Sequence, residues 1–351
     1  MFFASDNTGP AHPKILEALA DANQGYASPY GADPVTEAVV AQLREIFEAP
    51  QAAIYLVGTG TAANALILAT MAAPWQTIFC AKNAHIHEDE CGAPEFFTDG
   101  AKVTLVDGIE GKMHPEGLRQ IMKAEESRGV HGVQRGPVSL TQATEKGTVY
   151  SLDEIASLCE VAHSFGQSVH MDGARFANAL VHLGCSPAEM TWKAGVDALS
   201  FGGTKNGLFG AEAVIIFDPA KAWEFELRRK RAGHLLSKHR FIAAQLKAYL
   251  TDDLWLDMAG AANKTCADLA HDLQLTGSAQ LQFQPEANII FAHWPRAIHQ
   301  KLKAAGAMYY IWDGEDKLAE GDPSERLTAR LVCDWSATAE NSQKFLAEFA
   351  R

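Results

Sequence analysis

No two cysteines in this sequence stand at metal or redox spacing. Cys80, Cys91, Cys159, Cys185, Cys266 and Cys333 are scattered, and none forms a CxxC motif. Zinc-ribbon and redox-motif readings therefore have no support. The expected state is reduced, mostly buried thiols in a cytoplasmic protein. Basic residues are in deficit, with 30 Lys+Arg against 43 Asp+Glu and a net charge of −13. A surface that coats nucleic-acid phosphates needs the opposite balance, although a locally basic pocket for one small anion stays compatible. No run approaches the ~20 apolar residues of a spanning helix. The opening MFFASDNTGPAHP lacks the basic n-region of a secretory signal. No repeat and no low-complexity tract is seen. A soluble cytoplasmic protein without membrane or nucleic-acid partners is the expectation.

At 47% hydrophobic and 21% charged residues, composition is ordinary for a globular protein and excludes disorder, collagen or coiled coil as the main architecture. The 351 residues suggest two domains when each takes about 150. Met1 to Pro13 reads as an extended arm. Helical patterns follow at Pro13–Asn23 and Pro34–Phe47. Short apolar runs then alternate with helices. Strands are expected at Ala53–Val57, Thr77–Ala81, Lys102–Val106, Val138–Gln142, Ser168–Asp172, Ala198–Phe201 and Ala213–Phe217. Helices are expected at Ala62–Met71, Pro115–Glu126, Leu152–Phe165 and Pro187–Ala194. That alternation predicts an α/β fold with a mostly parallel sheet covered by helices. Lys221–Leu250 reads as helix broken near Gly233, and Asp253–Leu273 as another. Beyond them Gln280–Phe291, Ala307–Trp312 and Arg326–Trp335 read as strands, with helices at Arg296–Ala305 and Glu340–Phe349. The expected organisation is an arm (1–13), a large domain (14–245) and a small C-terminal α+β domain (246–351).

Three places carry chemistry. Val57-Gly58-Thr59-Gly60-Thr61-Ala62 takes a strand through a small-residue turn into a helix. Its free N–H groups suit a phosphate or carboxylate, and equally suit a plain tight connection. His170-Met171-Asp172-Gly173-Ala174-Arg175 puts an acid at a strand's C-terminal end, where ligands bind in open α/β sheets; a helix cap is the alternative. Phe201-Gly202-Gly203-Thr204-Lys205 places a lysine after a strand and two glycines, where it can form a Schiff base with an aldehyde or remain a solvated charge. Together the three match the needs of pyridoxal 5′-phosphate: a helix N-terminus for the phosphate, an acid for the pyridine nitrogen and a lysine for the aldehyde. A ring-stacking partner is expected at His85 or His87. The same HxH could belong to a metal cluster, but no third ligand stands at a clear spacing, so no metal is expected.

The chain resembles the low-specificity L-threonine aldolases, of the β-eliminating-lyase-like branch of fold-type-I pyridoxal-phosphate enzymes. The likeness rests on Ser5-Asp6-Asn7, Tyr30-Gly31-Ala32-Asp33-Pro34, Thr59-Gly60-Thr61-Ala62-Ala63-Asn64, His85 with Glu90 and Gly92, Asp172-Gly173-Ala174-Arg175, Lys205 and Arg330-Leu331-Val332. It covers nearly the whole chain in order, and the DGAR motif with its lysine is the specific part.

The resemblance implies roles by position. Lys205 would hold the cofactor, Asp172 would pair with the pyridine nitrogen, His85 rather than His87 would stack, and Gly60 and Thr61 would bind phosphate. Ser5, Arg175 and Arg330 would grip the substrate carboxylate, with Arg175 also beside the cofactor and Tyr30 on the substrate side. Lys230, within Arg228-Arg229-Lys230-Arg231, would reach a neighbouring subunit's phosphate, or sit on a solvated helix face. The implied reaction is reversible cleavage of L-threonine, L-allo-threonine or aryl-serines to glycine and an aldehyde, in a homo-oligomer (dimer or tetramer) with sites at subunit interfaces. A β-eliminating lyase, an aminotransferase and a non-catalytic pyridoxal-phosphate-binding protein are the alternatives. One departure stands out: Thr144 occupies the place of the family's second active-site histidine. That leaves His85 to handle the β-hydroxyl proton, with His131 as a loop candidate.

Overall fold

The computed structural model describes residues 1–125 and 127–350. Seven strands form the main sheet: β1 (Ala53–Val57), β2 (Gln76–Ala81), β3 (Lys102–Val106), β4 (Gln134–Thr141), β5 (Val169–Gly173), β6 (Ala198–Phe201) and β7 (Glu212–Ile216). Their order is β1-β7-β6-β5-β4-β2-β3. Only β7 runs against the others, pairing antiparallel with both β1 and β6. The strands read as unbroken apolar runs because both faces are covered. Along β1, Ile54 and Leu56 enter one buried cluster while Ala53, Tyr55 and Val57 enter another.

Helices cover the sheet: α1 (Pro13–Ala22), α2 (Pro34–Ile46), α3 (Gly60–Met71), the single turn α4 (His85–Glu88), α5 (Pro115–Ala124), α6 (Leu152–Ser164), α7 (Phe176–Leu183), α8 (Ala222–Arg231) and α9 (Arg240–Leu250). Every residue of α3 from Ala62 to Thr70 is buried, as befits a helix that is apolar all round. A reciprocal capping box of Ser151 and Glu154 starts α6. The helix expected to reach Glu126 ends at Ala124, and Glu126 itself lies outside the described residues. The predicted break near Gly233 is real: α8 and α9 are separate, with Gly233 at φ +79°. Residue 245 falls inside α9, whose Ile242, Leu246 and Tyr249 join the large core.

The long helix α10 (Leu254–Leu275) passes from one core to the other. Leu254, Trp255 and Met258 belong to the large cluster, and Cys266, Leu269 and Leu273 to the small one. The smaller unit adds an antiparallel sheet ordered β8-β9-β11-β10, made of β8 (Gln280–Leu281), β9 (Ile289–Pro295), β10 (Tyr310–Ile311) and β11 (Arg326–Val332). Helices α11 (Arg296–Ala304) and α12 (Ala339–Ala350) complete it.

Several expected strands differ in extent, among them Arg326–Trp335, which ends at Val332. β4 starts at Gln134 rather than Val138. The register shifts opposite Gly136 and Pro137, between Thr77 and Phe79, so the missing proline N–H falls at an irregularity rather than in the ladder. The run Gln280–Phe291 is divided between β8 and β9. The run Ala307–Trp312 yields only β10, because Met308 pairs with the arm instead: Phe3 N–H donates to its carbonyl at 2.7 Å and its own N–H donates to Met1 O at 2.9 Å. Phe3 is fully buried in the small core. The arm is thus a packed part of the smaller unit.

Candidate active site

The parallel strands deliver their C-terminal ends to one edge, and the chemistry gathers there. A cavity of about 330 Å³ is lined by Gly60, Thr61, His85, Asp172 and Lys205, with Asn7 from the arm. At the start of α3, the Thr59 hydroxyl accepts the Ala62 N–H at 3.2 Å and leaves the earlier amides directed outward. A Cβ built on Gly58 or Gly60 would meet nothing within 4 Å. The turn is open toward the cavity, as a cradle for an anionic group requires.

Asp172 is the last residue but one of β5 and is buried. Its Oδ1 accepts the Ala174 N–H and its Oδ2 accepts Asn64 Nδ2, both at 3.0 Å. Asn64, on α3, donates from the same nitrogen to Glu90 Oε1 at 3.0 Å. His85 Nδ1 donates to that same Glu90 oxygen at 3.1 Å. This bond raises the His85 pKa, against the effect of burial. Glu90 is itself raised by burial, and its Oε2 has no partner. Below Asn64, its Oδ1 accepts the Ser200 hydroxyl; Ser200 lies 3.2 Å from His170 Nε2, and His170 Nδ1 lies 3.0 Å from Ser139. Burial lowers His170 to about 4. His87 points to solvent.

Lys205 lies in a single helical turn after β6. Its neighbour Asn206 anchors that turn by donating to the Tyr249 hydroxyl and the Trp255 carbonyl, both at 2.8 Å. Glu212 accepts the Gly203 N–H at 2.7 Å and is pushed by burial up to about 6. Gly202 is required by close approach, since a Cβ there would stand 2.5 Å from the Ala174 carbonyl oxygen.

The remaining predicted residues separate into two groups. Arg175 is buried beside the site, and its fork is taken by Asp6 of the arm, at 2.7 Å from Nε and 2.9 Å from Nη2. Asp6 also accepts Asn288 Nδ2 at 3.0 Å. Arg330, on β11, keeps a buried Nε without a partner; burial first and Arg175 second oppose its charge. Ser5 caps the turn Asp6–Thr8 by accepting the Asn7 N–H at 3.1 Å. Tyr30 and Lys230 meet each other instead, with the ammonium 4.5 Å from the ring centroid, and both are exposed. Neither lines the Lys205 cavity. His131 is exposed. The Thr144 hydroxyl is buried and engaged with that of Thr148 at 2.7 Å.

Sequence reasoning missed the roles of Asp6, Asn64, Glu90, Ser200 and Glu212. Asp6, Asn64 and Glu90 stand inside the quoted motifs, which was their only signal. Ser200 and Glu212 carried none.

Over residues 3–295 the chain matches the family described as beta-eliminating lyase. The chain belongs to the beta-eliminating lyase family. Among relatives of this family, a protein of Pseudomonas aeruginosa named low specificity L-threonine aldolase is 40% identical over 338 residues, 96% of this chain and 94% of its own length. One from a Pseudomonas species with the same name is 36% identical across 99% of this chain and 96% of its own. The expected resemblance to low-specificity L-threonine aldolases therefore holds. A threonine aldolase structure from Leishmania major superposes with a TM-score of 0.90 at 24% identity, covering 99% of this chain and 98% of that one. A serine palmitoyltransferase of Sphingomonas wittichii shares the fold at a TM-score of 0.71 and 15% identity, covering 100% and 86%. The expected fold-type-I architecture is that of this beta-eliminating lyase family member.

Proposed function

We propose that this chain is a carbon–carbon lyase that cleaves L-threonine and related L-β-hydroxy-α-amino acids to glycine and an aldehyde with pyridoxal 5′-phosphate. The observation that carries the reading is one cavity shared by Gly60, Thr61, His85, Asp172 and Lys205 in a chain 40% identical to a low specificity L-threonine aldolase. The residues fit the cofactor: an open glycine cradle at a helix N-terminus, an acid held from below, an imidazole and a lysine.

When bound, pyridoxal phosphate supplies a conjugated ring that accepts the electron pair of a bond broken at the substrate Cα. The α3 amides of Gly60 and Thr61 would hold its phosphate. Asp172 would keep the pyridine nitrogen protonated. His85 would cover the ring face, and Lys205 would hold the aldehyde. Arg330, with a free buried Nε, takes the substrate carboxylate, and Arg175 supports it from its Asp6 clasp. Asn7 borders the same space from the arm, and Ser5 caps the turn that carries it.

Tyr30 and Lys230 serve a neighbouring subunit's site in a homo-oligomer, a dimer or tetramer. Their absence from the lining of their own chain's cavity supports this, as do the exposed Phe96 and Leu227, which border a groove of about 500 Å³ together with Glu224 and Arg228. The six unpaired thiols fit a reducing cytoplasm. No helix among the described residues is long and apolar enough to cross a membrane.

The test is product analysis on L-threonine. Glycine with acetaldehyde is expected, abolished in Lys205→Ala together with the visible absorbance that shifts when glycine is added. Release of 2-oxobutyrate would instead assign β-elimination.

A further inference from the structure

Retro-aldol cleavage needs a proton acceptor beside the substrate Cβ. Most carboxylates around the cavity are already engaged. Asp172 accepts from Asn64 and Ala174, Asp6 from Arg175 and Asn288, Glu90 Oε1 from Asn64 and His85, and Glu212 from Gly203. Glu145 differs. Among the described residues its carboxylate accepts no hydrogen bond, and its one ion pair is a long 3.8 Å contact from Oε2 to Arg175 Nη1. Its side chain is only 14% exposed. Its charge acts on His85, Arg175 and Arg330, the groups that surround the substrate position.

The backbone holds Glu145 in place. It follows Thr144, whose hydroxyl bonds Thr148, and the turn closes through Gly147 N–H to Thr144 O at 2.9 Å. Gly147, at φ +78°, packs on β9 so tightly that a Cβ would lie 2.8 Å from the Ile289 carbonyl oxygen. The next side chain, Lys146, is committed elsewhere, 4.4 Å from the Phe291 ring centroid and 4.3 Å from that of Trp312. His85, bonded to Glu90, is suited to stacking and to holding a proton rather than to taking one.

We propose that Glu145 is the base that takes the β-hydroxyl proton. This deepens the aldolase reading and rests on it. The O–H bond breaks and its proton passes to the Glu145 carboxylate. The O–H electron pair becomes the second bond of the aldehyde carbonyl. The Cα–Cβ bond breaks with its pair left on the glycine carbon, which then takes up one proton. Glu145 releases its proton to solvent, so no co-reactant is needed.

The test compares two reactions of the holoenzyme carrying Glu145→Gln. One is threonine cleavage; the other is exchange of the glycine α-proton in D2O, followed by NMR, which involves no β-hydroxyl. Loss of a general base predicts a fall of about 10²-fold or more in kcat for threonine. Glycine exchange, and the glycine dissociation constant read from cofactor absorbance, are expected to stay unchanged. Formate is expected to restore part of the threonine cleavage in Glu145→Ala. Parallel loss of both reactions with weakened glycine binding would reduce Glu145 to a counter-ion of Arg175 and overturn the proposal. Unchanged threonine cleavage would overturn it equally. A wild-type protein that exchanges glycine protons but releases no acetaldehyde from threonine would defeat the aldolase reading instead.

Discussion

Replacing Asp6 by Asn tests whether the arm is a structural clasp. Asp6 and Arg175 are a bidentate pair with side chains 1% and 3% exposed. Asn keeps the shape and the contact with Asn288 but leaves the Arg175 charge buried with only the 3.8 Å Glu145 contact. Breaking a buried pair from one side costs about 3–5 kcal/mol. Unfolding entropy of about 2.1 cal/mol/K per residue, applied to 351 residues, converts this into a Tm lower by about 4–7 °C. The pH dependence carries its own sign. Burial alone would raise the Asp6 pKa, but the Arg175 charge and hydrogen bonds hold it below the ordinary value. A depressed folded pKa gives stability that is complete above the unfolded value of about 3.9 and is lost as pH falls through the folded value. Calorimetry of wild type and Asp6→Asn should therefore show a constant gap from neutral pH down to about 5, closing only in stronger acid. A gap that widens on acidification, or no gap at neutral pH, would refute the clasp.

Other substitutions probe the rest of the site. Glu90→Gln replaces the carboxylate that raises His85 by a neutral, weaker amide acceptor, so the His85 pKa should fall when followed by imidazole NMR; the stabilisation from this pair is present below about 6.5 and is lost as pH rises through the folded value. An unmoved imidazole titration would contradict the assigned hydrogen bond. Gly60→Ala adds a methyl that meets no protein atom within 4 Å, so the apo-protein should keep its Tm while pyridoxal-phosphate affinity, measured by fluorescence quenching, falls about tenfold, a cost of about 1.4 kcal/mol. Phe3→Ala empties a fully buried site in the small core and should lower stability by about 3–5 kcal/mol, with the arm cleaved early in limited proteolysis.

Legibility followed sequence distance. The turn at Thr59–Thr61, the acid near the end of β5 and the lysine after two glycines could be read because each is a local strand-end signal. The helix start after Ser151 was legible through its acidic first turn. The reversed direction of β7 was not, since an apolar run buried on both faces reads the same either way. Nor was the Asp6–Arg175 clasp, between residues 169 positions apart, or the pairing of Met308 with the arm that shortened β10. Thr144 drew attention by standing in for a histidine, yet its hydroxyl closes a turn, and the carboxylate beside it lies 3.8 Å from Arg175. Tyr30 and Lys230 were legible as motif positions, while their mutual contact depends on the Tyr30 turn meeting the distant helix α8.

The chain of buried groups beneath Asp172 has a direction. Asn64 must present its amide nitrogen to the two carboxylates, so its oxygen can only accept, and the Ser200 hydroxyl must donate to it. Ser200 then accepts from His170, which fixes the proton on Nε2 and leaves Nδ1 to accept from Ser139. With His170 lowered to about 4, no member of this series from Ser139 to Asn64 changes its proton count near neutrality. The floor of the site is a one-way row of dipoles, all with their positive ends toward Asp172. It gives Asp172 a fixed electrostatic setting that needs no titrating partner beneath it.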